Sequence, residues 1–187
     1  MAALTESDRT YLVKLARSVI ETALKKREKP NTADTHSPAL REKRGCFVSL
    51  HQHGNLRGCI GTIEPEQALL DGVEANALNA AFRDPRFAPL EVKELTTTDI
   101  EISVLTVPRK LAFKDPEDLK AQLKPGVHGV ILSKGWQRAT FLPQVWEQLP
   151  DKEMFLKHLC QKAGLGSNCW KDNGIEVEVY EAEVFSE

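Results

Sequence analysis

Apolar residues near the start of the chain recur with a helical period. Leu12, Leu15, Ala16, Val19, Ile20, Ala23 and Leu24 fall at i, i+3, i+4 and i+7 and make one stripe. Ser7 suits the N-cap, and Pro30 lies beyond the expected end. The pattern then changes. Residues 45–52 and 56–63 are two β-type runs around a tight turn at His53-Gly54-Asn55, which predicts a hairpin. Pro65 is placed to open a second helix, with Ala68, Leu69, Val73, Ala77, Ala80 and Ala81 on its buried side. That helix must stop near Arg83, because Pro85 disfavours helical geometry at Asp84.

The second half alternates more. Ile100, Ile102 and Val104 interleave with Glu101 and Ser103, as in a half-buried strand. Asp115-Pro116-Glu117 starts a short helix to about Lys124, and Pro125-Gly126 turns the chain into a strand over 127–133. Residues 139–142 are extended, and Pro143 opens a helical turn. Asp151 caps a helix carrying Phe155, Leu156, Leu159, Cys160 and Ala163, which Gly164 or Gly166 ends. Glu176, Glu178, Glu181 and Glu183 punctuate a final β-type run over 175–185. Helices interleaved with strands and hairpins predict an α+β fold with mixed β-sheets and flanking helices. No repeat or clear linker divides residues 1–187, so they are read as one domain, with a smaller subdomain within about 45–110.

Charge sharpens one segment. The 187 residues carry a net charge of −2, yet Lys25 to Arg44 holds seven basic residues against three acidic ones, leaving −6 for the remainder. This segment has no aromatic side chain for base stacking, so a solvated loop is expected and nucleic-acid binding is not. No apolar run is long enough to span a membrane, and Met1 to Thr10 has no apolar stretch of the kind an export signal needs. A cytoplasmic protein is therefore expected, with Cys46, Cys59, Cys160 and Cys169 all reduced.

Candidate chemistry concentrates at Leu56-Arg57-Gly58-Cys59-Ile60-Gly61. Gly58 and Gly61 permit close backbone approach or positive φ. On a regular strand Arg57 and Cys59 share a face, where a guanidinium would favour the thiolate and depress the thiol pKa below about 8.5. A cysteine packed in a glycine-kinked strand is the alternative. Arg83-Asp84-Pro85-Arg86 offers two arginines on a proline-fixed turn, able to grip an anion or to pair with nearby carboxylates. His51 and His53 lie near Cys46 and Cys59, but Cys46 and His51 fall on opposite faces of a regular strand, so no metal site is expected. Trp136, Trp146 and Trp170 read as core or cleft-wall aromatics. The common nucleotide and hydrolase signatures are missing, and no cofactor is implied.

The hexapeptide at 56–61, extended through Gly61-Thr62-Ile63-Glu64-Pro65, resembles the hallmark of the AmmeMemoRadiSam system protein A family, the AMMECR-type domain. Gly45 to Leu50 is similar to the family's lead-in strand. Phe82 to Leu90 is similar to its second block, followed by Glu101 to Leu105, and residues 140–147 and 162–165 to its C-terminal blocks. The resemblance runs from about residue 10 to 185. It implies two unequal subdomains, with the hexapeptide facing a cleft between them. It also implies association with a Memo-like protein and a radical SAM protein, without defining a reaction. By resemblance and polarity, Glu64, Gln144 and Glu147 join Arg57, Gly58, Gly61, Arg83 and Arg86 as candidate ligand contacts.

Three functions follow as expectations. The first is a catalytic or acceptor site on Cys59, tuned by Arg57, with Arg83 and Arg86 orienting a small anionic substrate. The second is a non-catalytic module docking onto a Memo-like or radical SAM partner. The third, the weakest, is an RNA- or translation-linked factor using the basic 25–44 segment.

Overall fold

The computed structural model describes residues 3–25 and 37–187. Residues 26–36 of the basic connection lie outside the described residues, and with them much of the segment the RNA expectation relies on. The described chain forms helices α1 (Glu6–Lys25) and α2 (Pro38–Arg41), strands β1 (Cys46–Gln52) and β2 (Asn55–Thr62), and helix α3 (Leu69–Phe82). Strands β3 (Thr98–Leu105) and β4 (Arg109–Lys110), helix α4 (Pro116–Gln122), and strands β5 (Gly129–Lys134) and β6 (Gln137–Phe141) follow. Helices α5 (Val145–Gln148) and α6 (Lys152–Lys162) and strands β7 (Glu176–Tyr180) and β8 (Ala182–Ser186) complete it, so the α+β expectation holds. Two compact units result: one runs to Leu105 and takes in Glu183–Glu187, and the other comprises Thr106–Ala182.

The first unit is built on a sheet of order β2-β1-β3-β8. Strand alternation sends Cys46, Val48 and Leu50 of β1 and Ile100, Ile102 and Val104 of β3 into one core with Leu12, Ala16 and Ile20 of α1 and Val73, Ala77 and Ala80 of α3. Helix α3 starts at Leu69, four residues later than Pro65 predicts. The preceding residues are held extended: the Arg44 N–H donates to the Gln67 carbonyl, the Leu69 N–H donates to the Glu42 carbonyl, and Lys43 bridges Ala68. Backbone pairing there overrides the proline signal.

The second unit has a sheet of order β4-β7-β5-β6. Val130 and Leu132 of β5 and Val177 and Val179 of β7 pack against Phe155, Leu156 and Leu159 of α6. Trp146 stacks on Phe155 with ring centroids 3.6 Å apart. Asp115 and Asp151 cap α4 and α6 as expected, accepting from the N–H groups of Asp118 and Met154. Two expectations need correction. Cys160 and Cys169 form a disulfide, so these two thiols are not free. Trp136 is 90% exposed on the β5–β6 turn, whereas Trp146 and Trp170 are core residues. The hairpin register explains it: Lys134 pairs with Gln137, which leaves only Gly135 (φ 62°) and Trp136 to turn the chain.

Candidate functional site

The β1–β2 hairpin closes through His53 and Gly54, both with positive φ (51° and 78°), as a type I′ turn requires. His53 is thereby committed to the turn. Among the described residues no three His, Cys, Asp or Glu side chains gather as a metal site would need. From the turn, Gln52 opposes Asn55 and His51 opposes Leu56, but Leu50 opposes Gly58. Arg57 is thus an extra residue, a β-bulge, and it changes everything beyond it. Cys59 comes to lie opposite Ser49 instead of Val48, on the sheet face away from the core.

Ser49 and Cys59 exchange no backbone hydrogen bonds, because both backbone groups of Cys59 point outward. Such pairs bring their side chains closest. The Ser49 hydroxyl donates to Cys59 Sγ at 3.2 Å. Cys59 is partly exposed, while Cys46 is buried and faces the core. Burial pushes the Cys46 thiol up to about 11. Cys59 is therefore the one free and partly accessible thiol among the described residues.

The outer edge of β2 is closed at this residue by two side chains. The Cys59 N–H donates to Asp84 Oδ2 at 2.9 Å, and Arg86 Nη2 donates to the Cys59 carbonyl at 3.2 Å. Asp84 and Arg86 are themselves joined: Arg86 Nε and Nη2 donate to the two carboxylate oxygens at 3.0 and 2.7 Å, and the Arg86 N–H donates to Oδ1 at 3.1 Å. The hydrogen bonds from Arg86, then those from the Cys59 and Arg86 backbones, outweigh burial and hold the Asp84 carboxyl far below the usual carboxylate range. The pair supplies the donor and acceptor that a neighbouring strand would supply.

Arg57 is gripped by a different carboxylate. Its Nε and Nη2 donate to the two oxygens of Glu94 at 2.9 and 3.1 Å, and its Nη1 is buried with no hydrogen-bond partner. Glu94 also accepts the Glu91 N–H at 2.8 Å. Arg57 above all, against the cost of burial, lowers the Glu94 carboxyl to about 2. Phe87 lies within reach of both guanidinium groups, its centroid 6.0 Å from Arg57 and 5.4 Å from Arg86. Both arginines are thus matched by carboxylates of the same unit.

The structure assigns the glycines a packing role. Neither Gly58 nor Gly61 has positive φ. A Cβ on Gly58 would sit 2.3 Å from the Ala80 carbonyl oxygen of α3, and one on Gly61 2.2 Å from the Phe47 ring. The approach they permit is filled by the protein's own helix and ring. Arg83 is exposed at the end of α3, and Glu64 is half-buried beyond β2. Gln144, half-buried, and Glu147, exposed, belong to the second unit. Ser49, Asp84, Phe87 and Glu94 are site residues that sequence reasoning did not name as contacts. Asp84 and Phe87 lie within the block 82–90 that the resemblance singled out, and Ser49 is a β1 polar residue near the expected partner of Cys59, whereas Glu94 left no signal.

The family model described as AMMECR1 matches residues 13–185. A protein of Methanothermobacter thermautotrophicus is 40% identical over 187 residues, covering 100% of this chain and 97% of the relative. A protein of Methanocaldococcus jannaschii is 37% identical over 190 residues, covering 100% and 94%. The crystal structure of an uncharacterized protein from Pyrococcus horikoshii superposes with a TM-score of 0.90 at 36% identity, covering 98% of this chain and 93% of that one. No described helix is long and apolar enough to cross a membrane.

Proposed function

The chain belongs to the AMMECR1 family, and on that premise we propose that it works through Cys59 as a nucleophilic or acceptor thiol. The observation that carries this reading is the Ser49 hydroxyl, 3.2 Å from Cys59 Sγ and placed to donate to it, on the only free, partly exposed thiol among the described residues. A hydroxyl donor at sulfur stabilises negative charge that builds there as the thiol proton leaves. The Asp84–Arg86 pair fixes the backbone of Cys59, so the sulfur is presented on a rigid strand instead of a loop. In the proposed step the Cys59 thiol loses its proton to solvent water, the sulfur attacks an electrophilic carbon to form an S–C bond, and that carbon's bond to a leaving group breaks, the leaving group departing with the bonding pair. The family resemblance supports placing this step in a radical-SAM-associated modification or maturation pathway with a Memo-like protein.

The test is alkylation by iodoacetamide, followed by peptide mass mapping, in native and denatured chains at one pH. Native Cys59 should react faster than the same residue in the denatured chain, and Ser49→Ala should remove that advantage. Equal native and denatured rates, or a rate indifferent to Ser49→Ala, would reject the reading.

A further inference from the structure

The outward face of the first unit's sheet carries a row of three polar residues. Ile100 and Ile102 of β3 belong to the core, so Glu101 between them lies on the opposite face. The register sets Glu101 against Ser49 of β1, and Ser49 against Cys59 of β2. Carboxyl, hydroxyl and thiol thus stand side by side across three strands. Directly opposite side chains are about 5 Å apart at Cβ. Two strand spacings put Glu101 roughly 10 Å from Cys59.

Charge on this face is one-sided. Across the four strands of the sheet the basic residues are Arg57 and His51. Arg57 is gripped by Glu94, and Arg86, beside the Cys59 backbone, by Asp84. Each pair is neutral as a whole. The acidic residues of the four strands are Asp99, Glu101 and Glu183. Glu183 pairs with Arg9, Asp99 lies in the field of Arg17, and the register sets His51 against Asp99. Glu101 is half-buried and has no ion pair or side-chain hydrogen bond among the described residues. A partly buried carboxylate has lost part of its hydration, and a cation arriving from outside compensates that loss.

We propose that Glu101 selects the substrate of Cys59: a small electrophile carrying an amine or guanidine cation, bound with the cation at Glu101 and the electrophilic carbon at Sγ. The assignment rests on Cys59 as the nucleophile and adds the charge of what it attacks. The cation and the carbon span most of the roughly 10 Å between β3 and β2, with Ser49 midway and still in contact with sulfur. Glu101 forms no bond in the step and holds only the cation. An anionic substrate needs an uncompensated cation on this face, and Arg57 and Arg86 are both matched.

The test alkylates the full chain at one pH and low salt with bromoethylamine (a cation), iodoacetamide (neutral) and iodoacetate (an anion). Each Cys59 rate is divided by that of the same reagent on the denatured chain, which cancels intrinsic reactivity. The cation should gain roughly three- to tenfold over the neutral reagent, and the anion should fall below it. Glu101→Gln should erase both differences, Glu101→Lys should reverse the order, and Asp99→Asn should leave it unchanged. The parent's own charge order, and its collapse at about 1 M salt, need no variant. An order that puts the neutral reagent or the anion first, that survives Glu101→Gln, or that is lost in Asp99→Asn instead would overturn the proposal. Iodoacetamide separates the two readings. A rate that depends on Ser49 while the charge order is absent rejects the Glu101 assignment alone; a rate indifferent to Ser49→Ala rejects the thiol reading and this one with it.

Discussion

Replacing Asp84 by asparagine removes the charge from the centre of the Cys59 clasp while keeping its size. The carboxylate side chain is 2% exposed and accepts from the Cys59 N–H, the Arg86 N–H and two guanidinium nitrogens. Asparagine retains one acceptor oxygen and turns an N–H₂ donor towards groups that are themselves donors. Losing one partner of a buried charged pair costs about 3–5 kcal/mol. Arg86 is 55% exposed and recovers hydration, so screening cuts the figure to about 2–3 kcal/mol. That corresponds to a fall of roughly 4–12 °C in melting temperature for a chain of this length. The sign of the pH dependence follows from the depressed carboxyl. In the folded state Asp84 holds its proton only well below 3.8, its ordinary value, so the unfolded state binds more protons in between. Its contribution is complete above about 3.8 and fades as pH falls towards the folded value. Urea unfolding of both proteins at pH 7 and at pH 3 measures both quantities. The gap should be smaller at pH 3. A variant within about 0.5 kcal/mol of the parent at pH 7, the noise of a surface substitution, would refute the argument.

Other perturbations probe separate parts of the frame. Gly58→Ala places a methyl 2.3 Å from the Ala80 carbonyl oxygen and must displace α3, at a cost of about 1–3 kcal/mol in urea unfolding. Gly126→Ala has open space around its Cβ but keeps φ at +75°, so its smaller cost of about 1 kcal/mol isolates backbone strain. Reducing Cys160–Cys169, which closes a loop of sequence separation 9, should lower the stability of the second unit by about 2.5 kcal/mol. Comparing the parent with a Cys160→Ala/Cys169→Ala variant, with and without reductant, checks it; a parent indifferent to reductant would contradict the estimate. His128 is buried, and burial first, then Arg109 and Lys124, lowers its pKa below the ordinary 6.5. The unfolded state then binds the extra proton, so stability should fall as pH drops through 6.5, and His128→Gln should flatten that slope.

The parts of this architecture legible in the sequence are those set by local periodicity and by the caps at Asp115 and Asp151; at α1 the expected cap Ser7 lies inside the helix, and Thr5 accepts the Asp8 N–H instead. The α1 stripe of Leu12, Leu15, Ala16, Val19 and Ile20 is buried as its spacing demands. The alternation of Ile100, Ile102 and Val104 places them in the core, and the hairpin follows from its turn residues. Elements decided by pairing at a distance were not legible. The start of α3 depends on residues 42–44 running beside 67–69, which no local signal at Pro65 reveals. The single β-type run over 175–185 divides at Glu181, whose N–H and carbonyl are taken by Thr106. Its two halves, β7 and β8, then join different sheets.

The candidate site shows the same limit at the scale of one residue. Counting back from the His53-Gly54 turn without a bulge sets Cys59 against Val48, among side chains that point into the core. One additional residue in β2 moves Cys59 to the other face, against Ser49. The extra residue is Arg57, and its place in the bulge frees it from strict alternation, so that it meets Glu94 at 37 residues' separation. The spacing Arg57-x-Cys59 suggests an arginine turned towards a thiol. In the folded unit that arginine is spent on a carboxylate, and the group that touches the sulfur is a neutral hydroxyl. A neutral donor makes a distinct prediction from a cationic one: the Cys59 alkylation rate should depend weakly on ionic strength and strongly on Ser49. Measuring the rate at low salt and at about 1 M salt, in the parent and in Ser49→Ala, separates the two. A steep salt dependence that persists in Ser49→Ala would return the role to an arginine.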